Sequence, residues 1–400
     1  MKPIFILFFS VIIFCFSCKK ENSNDRKIPI PDQTEINKLK INQLQILGSH
    51  NSYHKHMDNR LFAFLGNINF LLPEKYKVDA LDYMHESIPD QLNKYGMRSF
   101  EIDIYNDPNG GRFYNRNGNR FVHMTVESHI ADLQQPGLKI LHIPDIDYET
   151  HYYTFKKMLT ALNEWSDAHP NHLPLFILVE TKEETVGDVL GFLGFQQAIK
   201  YTPALASAID DEIKSVFGAD LKKIITPDQI RGTYATLEEA VLAKNWPTVG
   251  ASRGKFIFVM QGGAEDEYLV AHPSLQGRAM FIMSEPGKPE AAFIGYDNPI
   301  EKQAETIQAE TIQAVQAGYM VRTRSDEPNV QNKNGSYEQQ HAAFSSGAQM
   351  ISTDYYRPDT RHASSPRMFT NYSCNFPNNE LARINPISAA DKQNIGIIAE

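Results

Sequence analysis

Cysteine is scarce. Cys15, Cys18 and Cys374 are the whole supply in 400 residues, and two of them fall within the first eighteen. A disulfide framework is therefore excluded as the basis of the fold, which must rest on an apolar core. An excess of positive charge is also lacking: 39 Lys and Arg stand against 48 Asp and Glu, a formal net charge of −9. That balance argues against nucleic acid as a partner. The apolar run Ile4–Phe16, preceded by Lys2, is too short to span a bilayer, which takes roughly 20 apolar residues. It has the form of a signal-peptide core. Present in quantity is apolar material, 42% of residues, enough to bury a large core in one large domain or two ordinary ones.

The apolar run ends in Cys15-Phe16-Ser17-Cys18, followed by the polar tract KKENSNDRK. A small residue directly before a cysteine resembles a bacterial lipobox, which implies cleavage before Cys18 and acylation of that cysteine. The alternative is an ordinary secretory signal with incidental cysteines. Loss of residues 1–17 removes one charged residue, Lys2, so the net charge moves from −9 to −10. With lipid on Cys18, Cys374 has no intrachain partner. The expected organisation is a signal peptide over 1–17, a lipid-anchored flexible tether over 18–40, a folded domain over 41–360 and a tail wrapping it over 361–400. Lys19 directly after Cys18 favours an exported lipoprotein at the outer membrane, periplasmic face or surface of a Gram-negative cell. A monomer attached to the membrane through this anchor is expected.

Apolar strand candidates recur at 43–49, 97–105, 138–144, 173–181, 254–261, 279–285, 318–325 and 348–354. Most are separated by at least a dozen residues, which points to parallel pairing with crossovers. The expected fold class is α/β, an eight-stranded, distorted β/α barrel of the TIM type, in a single domain over 41–360. Helical spacing of Phe155, Met158, Leu159, Leu162 and Trp165 predicts a helix over 151–166 packed on the barrel. A shorter helix is expected over 236–244 with Thr236 as N-cap. The stretch 299–317 carries the direct repeat AETIQ, read as a duplication that extends a surface helix, because five residues advance a helix by about 500° and turn the copies to different faces. The Asn- and Gly-rich region 106–137 reads as a long functional or mobile loop.

The chemistry gathers at strand ends. In LGSHNSYHK an apolar segment turns at Gly48 and presents His50 beside Asn51. In MRSFEIDIY, Glu101 and Asp103 are two apart and share one face of a strand. LKILHIPDIDY brings His142 near the end of a third strand, and LPLFILVETK ends in Glu180 with Lys182 on the same face. Each has an ordinary reading alone, as acids paired with arginines or a histidine satisfied in a core. Together, on four consecutive strands of a barrel whose site lies at the strands' carboxyl ends, they form a constellation. Asn51, Glu101, Asp103 and Glu180 offer only oxygen ligands, which selects Ca²⁺ or Mg²⁺ over zinc. His50 and His142 are then free for acid–base work. His123 and His129 in the long loop are weaker competitors, Tyr53, His54, His56 and His85 read as local structure, and Asp145 and Asp147 read as caps, with Asp145 the nearer to the site.

This pattern resembles the catalytic domain of calcium-dependent phosphatidylinositol-specific phospholipases C, in particular their small secreted bacterial branch. The resemblance runs over LGSHNSYH, YMHESIPDQLNKYGMRSFEIDIY, KILHIPDIDYET, WSDAHPNHLPLFILVETK, GYMVRTRSD and SGAQMISTDY, within about residues 45–356. It implies one bound Ca²⁺ held by Asn51, Glu101, Asp103 and Glu180, with His50 and His142 as the catalytic histidines. The implied reaction is attack of the inositol 2-hydroxyl on phosphorus, expelling diacylglycerol and leaving a cyclic inositol phosphate. In it, calcium contacts the phosphate and the attacking hydroxyl, and a histidine or a ligand carboxylate such as Glu101 removes the proton. His50 is assigned to the phosphate and leaving group, His142 to the hydroxyl. Lys182, Arg322 and Arg324 are candidate contacts to phosphate or inositol hydroxyls, the alternative being a salt-bridged rim. The flanking pleckstrin, EF-hand and C2-like modules of large eukaryotic members are not recognised, and plain phosphatidylinositol or another phosphodiester is the expected substrate. Two other readings compete. Glycerophosphodiester phosphodiesterases use a similar barrel, a Glu-x-Asp pair and two histidines, but typically begin His-Arg-Gly where this chain has His50-Asn51-Ser52. A catalytically silent lipid-anchored binding protein is expected to lose a histidine or a calcium ligand, and each of those residues is present here.

Overall fold

The computed structural model describes residues 32–71, 77–299 and 304–400. The expected signal peptide, Cys18 and most of the tether lie outside the described residues. Ten strands occur among the described residues: β1 Leu44–Ser49, β2 Ser99–Tyr105, β3 Lys139–Ile140, β4 Leu175–Thr181, β5 Phe256–Gly262, β6 Phe281–Ile282, β7 Phe293–Tyr296, β8 Met320–Arg324, β9 Met350–Thr353 and β10 Ala382–Ile384. Eight of them lie in the order β6-β5-β4-β2-β1-β9-β8-β7 with every neighbouring pair parallel. A parallel bridge between Met283 and Phe293 draws the two ends together, so the sheet is nearly closed into a barrel. The α/β barrel expected from the sequence is the fold found.

Two strands differ from expectation. The segment 138–144 supplies no barrel stave: β3 is two residues long and antiparallel to β2, with Ile104 opposite Ile140. Pro144 has no N–H to give a ladder, and Asp145 takes φ 73°, so the chain turns away after Ile140. The missing stave is β7, a short AAFIGY stretch that was not expected as a strand. Gly48 does not turn the chain. It lies inside β1, where an added Cβ would stand 2.5 Å from Ser99 Cβ, so its bare Cα lets β1 and β2 approach.

The helix Phe155–Ala168 buries the five apolar residues predicted to face the barrel, and Thr154 Oγ1 caps it by accepting from Lys157 N–H at 3.4 Å. Each such buried side chain contributes roughly 1.5–3 kcal/mol. The shorter helix Leu237–Leu242 is capped by Thr236, whose Oγ1 accepts from Glu239 N–H at 3.1 Å. The packed body begins before residue 41: Ile36 and Leu39 are buried in the main core, so the last residues of the expected tether belong to the domain. In the tail, β10 runs antiparallel along the first half of β1, and the Glu400 side chain takes two hydrogen bonds from Arg98, at 2.7 and 2.6 Å. A second apolar cluster, with Leu61, Phe113, Ile143, Tyr148, Val186 and Phe195, gathers the loops that follow β1, β2 and β4. The 106–137 excursion is thus tied down at the mouth of the barrel through Phe113. Among the described residues no helix is long and apolar enough to cross a membrane.

Candidate active site

The parallel register assembles the acids. Asp103 on β2 stands opposite Glu180 on β4, which stands opposite Gln261 on β5. Glu101 points to the same face two residues earlier, and ligating oxygens of Glu101, Asp103 and Glu180 lie within 4.8 Å of one another. Glu101 and Asp103 are buried. Such a cluster is costly without cations, and the protein brings two. Lys182 Nζ is 2.5 Å from Glu180 Oε1 and 3.1 Å from Asp103 Oδ2. Arg322 Nη2 is 2.5 Å from Glu101 Oε2, and its other arm pairs with Asp297. Gln261 Nε2 donates to Glu101 Oε1 at 3.2 Å and Glu180 Oε2 at 3.3 Å. Burial first, then Glu180 and Glu101, push the Asp103 carboxyl up to about 7 against the pull of Lys182. Burial also acts against the Glu180 anion, but Lys182 outweighs it and holds that carboxyl below its usual range.

The turn after β1 adds the amide. Asn51 adopts φ 45°, a left-handed conformation that asparagine tolerates better than most residues, and its carbonyl accepts from His54 N–H at 2.8 Å to close the turn. Asn51 Nδ2 donates to the Tyr83 hydroxyl at 2.7 Å. Asn51 Oδ1 and Asp103 Oδ1 are buried and receive no hydrogen bond. An unmet amide oxygen on Asn51 and an unmet carboxylate oxygen on Asp103, which clusters with Glu101 and Glu180, are the donors an all-oxygen shell for a hard cation needs, so these residues fit Ca²⁺.

Each histidine has its own carboxylate. His50 Nδ1 lies 3.1 Å from Asp354 Oδ1, at the end of β9, and its Nε2 is 3.9 Å from Glu101 Oε1. Asp354 is also held by Arg324 Nη2 at 2.8 Å. His142 Nδ1 lies 2.7 Å from Asp147 Oδ2, and the same carboxylate meets His54 Nε2 at 2.8 Å. Burial and Arg324 press the His50 pKa down, yet Asp354 and Glu101 prevail and it is raised. Burial dominates at His142, and its pKa is lowered despite Asp147. Both rings flank Tyr83, at centroid distances of 5.9 Å for His50 and 6.3 Å for His142.

All six residues expected to bind metal or move protons meet around one barrel mouth, but His142 arrives differently from expectation, on the loop after β3. Lys182, Arg322 and Arg324 are not free cations at a rim: all three are engaged by carboxylates of the site or its border, and the two arginines are buried. His123 and His129 are exposed on the long loop. The roles of the two loop aspartates are reversed. Asp147 meets the histidines, whereas Asp145 accepts from the backbone N–H groups of Asn117 and Gln196, each at 2.7 Å. His54 and His85 are buried within the histidine cluster, His85 Nε2 lying 2.7 Å from the His50 carbonyl oxygen. Asp354, Gln261 and Tyr83 were not anticipated. Asp354 follows QMIST, a strand with only two apolar residues, so it lacked the apolar run that singled out Glu180.

A barrel whose mouth joins an oxygen-ligand cluster to two histidine–carboxylate pairs has the parts of a metal-assisted acid–base hydrolase. The sequence model of the family described as phosphoinositide phospholipase C, Ca²⁺-dependent, matches residues 39–386, and the chain belongs to that family of phosphoric diester hydrolases. Solved structures similar to it include the calcium-dependent phosphoinositol-specific phospholipase C of Pseudomonas sp. with myo-inositol, 14% identical over 80% of this chain and 92% of its own, with a TM-score of 0.46. The Ca²⁺-dependent phosphatidylinositol-specific phospholipase C of Streptomyces antibioticus is 16% identical over 84% of this chain and 100% of its own, with a TM-score of 0.48. A glycerophosphoryl diester phosphodiesterase of Parabacteroides distasonis is 11% identical over 85% and 92%, with a TM-score of 0.27. No curated protein sequence matches the chain.

Proposed function

We propose that the chain cleaves phosphatidylinositol-type lipids to diacylglycerol and a cyclic inositol phosphate, with one Ca²⁺ held by Asn51, Glu101, Asp103 and Glu180. The observation that carries this reading is the joining, at one barrel mouth, of the three-carboxylate cluster to two histidines whose pKa values are displaced in opposite directions. When bound, the cation lowers the pKa of the attacking hydroxyl and neutralises charge that builds on the phosphate. His142, kept neutral by burial and aligned through Nδ1 by Asp147, accepts the hydroxyl proton. His50, kept protonated by Asp354 and Glu101, steadies the phosphate and delivers a proton to the departing alkoxide. Lys182, Arg322 and Arg324 add positive charge around the phosphate while keeping the carboxylates in place. Acylation of Cys18 after export would hold the enzyme on a Gram-negative membrane, beside its lipid substrate; the apolar run ending at Ser17-Cys18 supports this.

The test is phosphorus NMR of product formation by residues 19–400 on phosphatidylinositol vesicles. The expected result is a cyclic inositol phosphate signal in Ca²⁺ and no turnover in chelator. Equal turnover in chelator, or glycerol phosphate as the sole product from a deacylated substrate, would contradict the proposal.

A further inference from the structure

Tyr83 takes no part in the roles above. It follows the helical turn Val78–Leu81 and is buried at the centre of the histidine cluster. Its ring stacks on His54 with centroids 4.4 Å apart and also neighbours His50, His85 and His142. Its hydroxyl oxygen accepts from Asn51 Nδ2 at 2.7 Å.

That hydrogen bond engages one end of an amide and leaves the other end to face elsewhere. A primary amide carries a donor at one end and an acceptor at the other, at nearly equal size. With Nδ2 tied to Tyr83, Oδ1 is turned away from the phenol, buried and without a donor from the protein. Reversal would aim two N–H groups where a cation is to bind and would turn the phenol from acceptor of Nδ2–H into donor to Oδ1.

We propose that Tyr83 is a positioning residue with two separable functions: its hydroxyl fixes the Asn51 amide with Oδ1 presented to the cation, and its ring sets the spacing of the two histidines. This rests on the reading of Asn51 as a calcium ligand.

The experiment is Ca²⁺ binding by titration calorimetry without lipid, on full-length chains whose melting temperatures show them folded at the assay temperature. Tyr83→Phe should weaken Ca²⁺ binding about 10-fold or more, as loss of a ligand's supporting partner typically does, while kcat at saturating Ca²⁺ changes far less. Asn51→Asp has oxygen at both ends, so orientation no longer matters; adding Tyr83→Phe to it should weaken binding by no more than about two-fold. Tyr83→Leu, which removes the ring, should further lower kcat at saturating Ca²⁺, a loss that Tyr83→Phe does not share. Unchanged Ca²⁺ affinity in Tyr83→Phe, or an equal loss on both backgrounds, would overturn the orienting function; equal kcat in Tyr83→Leu and Tyr83→Phe would overturn the spacing function. Asn51→Ala separates the layers. If it binds Ca²⁺ normally, the ligand reading itself fails; if it binds weakly while Tyr83→Phe is unaffected, only the role of Tyr83 fails.

Discussion

The two histidine–carboxylate pairs are built alike but sit in different settings. His50 and Asp354 sit at the ends of adjacent barrel strands, β1 and β9, in parallel register, and Arg324 on β8 fixes the carboxylate. His142 and Asp147 both lie on one loop, five residues apart, and that loop is steadied by the second apolar cluster and by His54. In the first pair, carboxylates surround the ring and raise its pKa; in the second, burial prevails and lowers it. Similar partners therefore yield a ring suited to give a proton and a ring suited to take one. The difference lies in the surroundings: both carboxylates meet a second histidine, His85 at Asp354 and His54 at Asp147, but only His50 has a further carboxylate neighbour, Glu101.

The largest effect should come from removing either ring. His50→Ala and His142→Ala should each lower kcat by about 10²–10⁴-fold with Ca²⁺ affinity little changed, as steady-state kinetics and calorimetry would show; near-full activity in either would end the division of labour. Next in size is Asp354→Asn. It removes a carboxylate that raises the His50 pKa, so the ring loses its proton at lower pH and the alkaline limb of the kcat/KM profile should move to lower pH, with activity down about 10²-fold. Asp147→Asn should have a smaller effect, because His54 and the loop still hold the site. Without that charge the already lowered His142 pKa falls further, and since the neutral ring is the active form, the acid limb should move to lower pH. A pH profile in which both variants shift the same limb would break the comparison.

The barrel and the gathering of Glu101, Asp103 and Glu180 at its mouth were legible because both depend on local pattern. Apolar runs ending in acids mark staves whose carboxyl ends face the mouth, and Glu101 and Asp103 reach one face through the period of a strand. His142 was legible as a residue but not in its placement, since an apolar stretch with a proline after its histidine reads as a strand until the proline's effect on pairing is followed. β7 is too short and too rich in alanine and glycine to stand out. Asp147, Asp354 and Tyr83 depend on tertiary approach: each meets its histidine or asparagine only when loops or strands distant in sequence, or a turn of uncertain direction, are set by the second apolar cluster and the barrel register. The buried arginines were visible as an alternating VRTR pattern, but their engagement by Glu101, Asp297 and Asp354 is a property of the closed barrel.

The division of labour is tested most directly by changing the leaving group. Turnover of phosphatidylinositol is to be compared with that of an inositol 4-nitrophenyl phosphodiester, whose leaving group needs no proton, in the His50→Ala and His142→Ala variants at saturating Ca²⁺. The defect of His50→Ala should shrink by at least about 10-fold on the activated substrate, while that of His142→Ala stays as large as on the lipid. The same defect on both substrates for His50→Ala, or rescue of His142→Ala instead, would contradict the account.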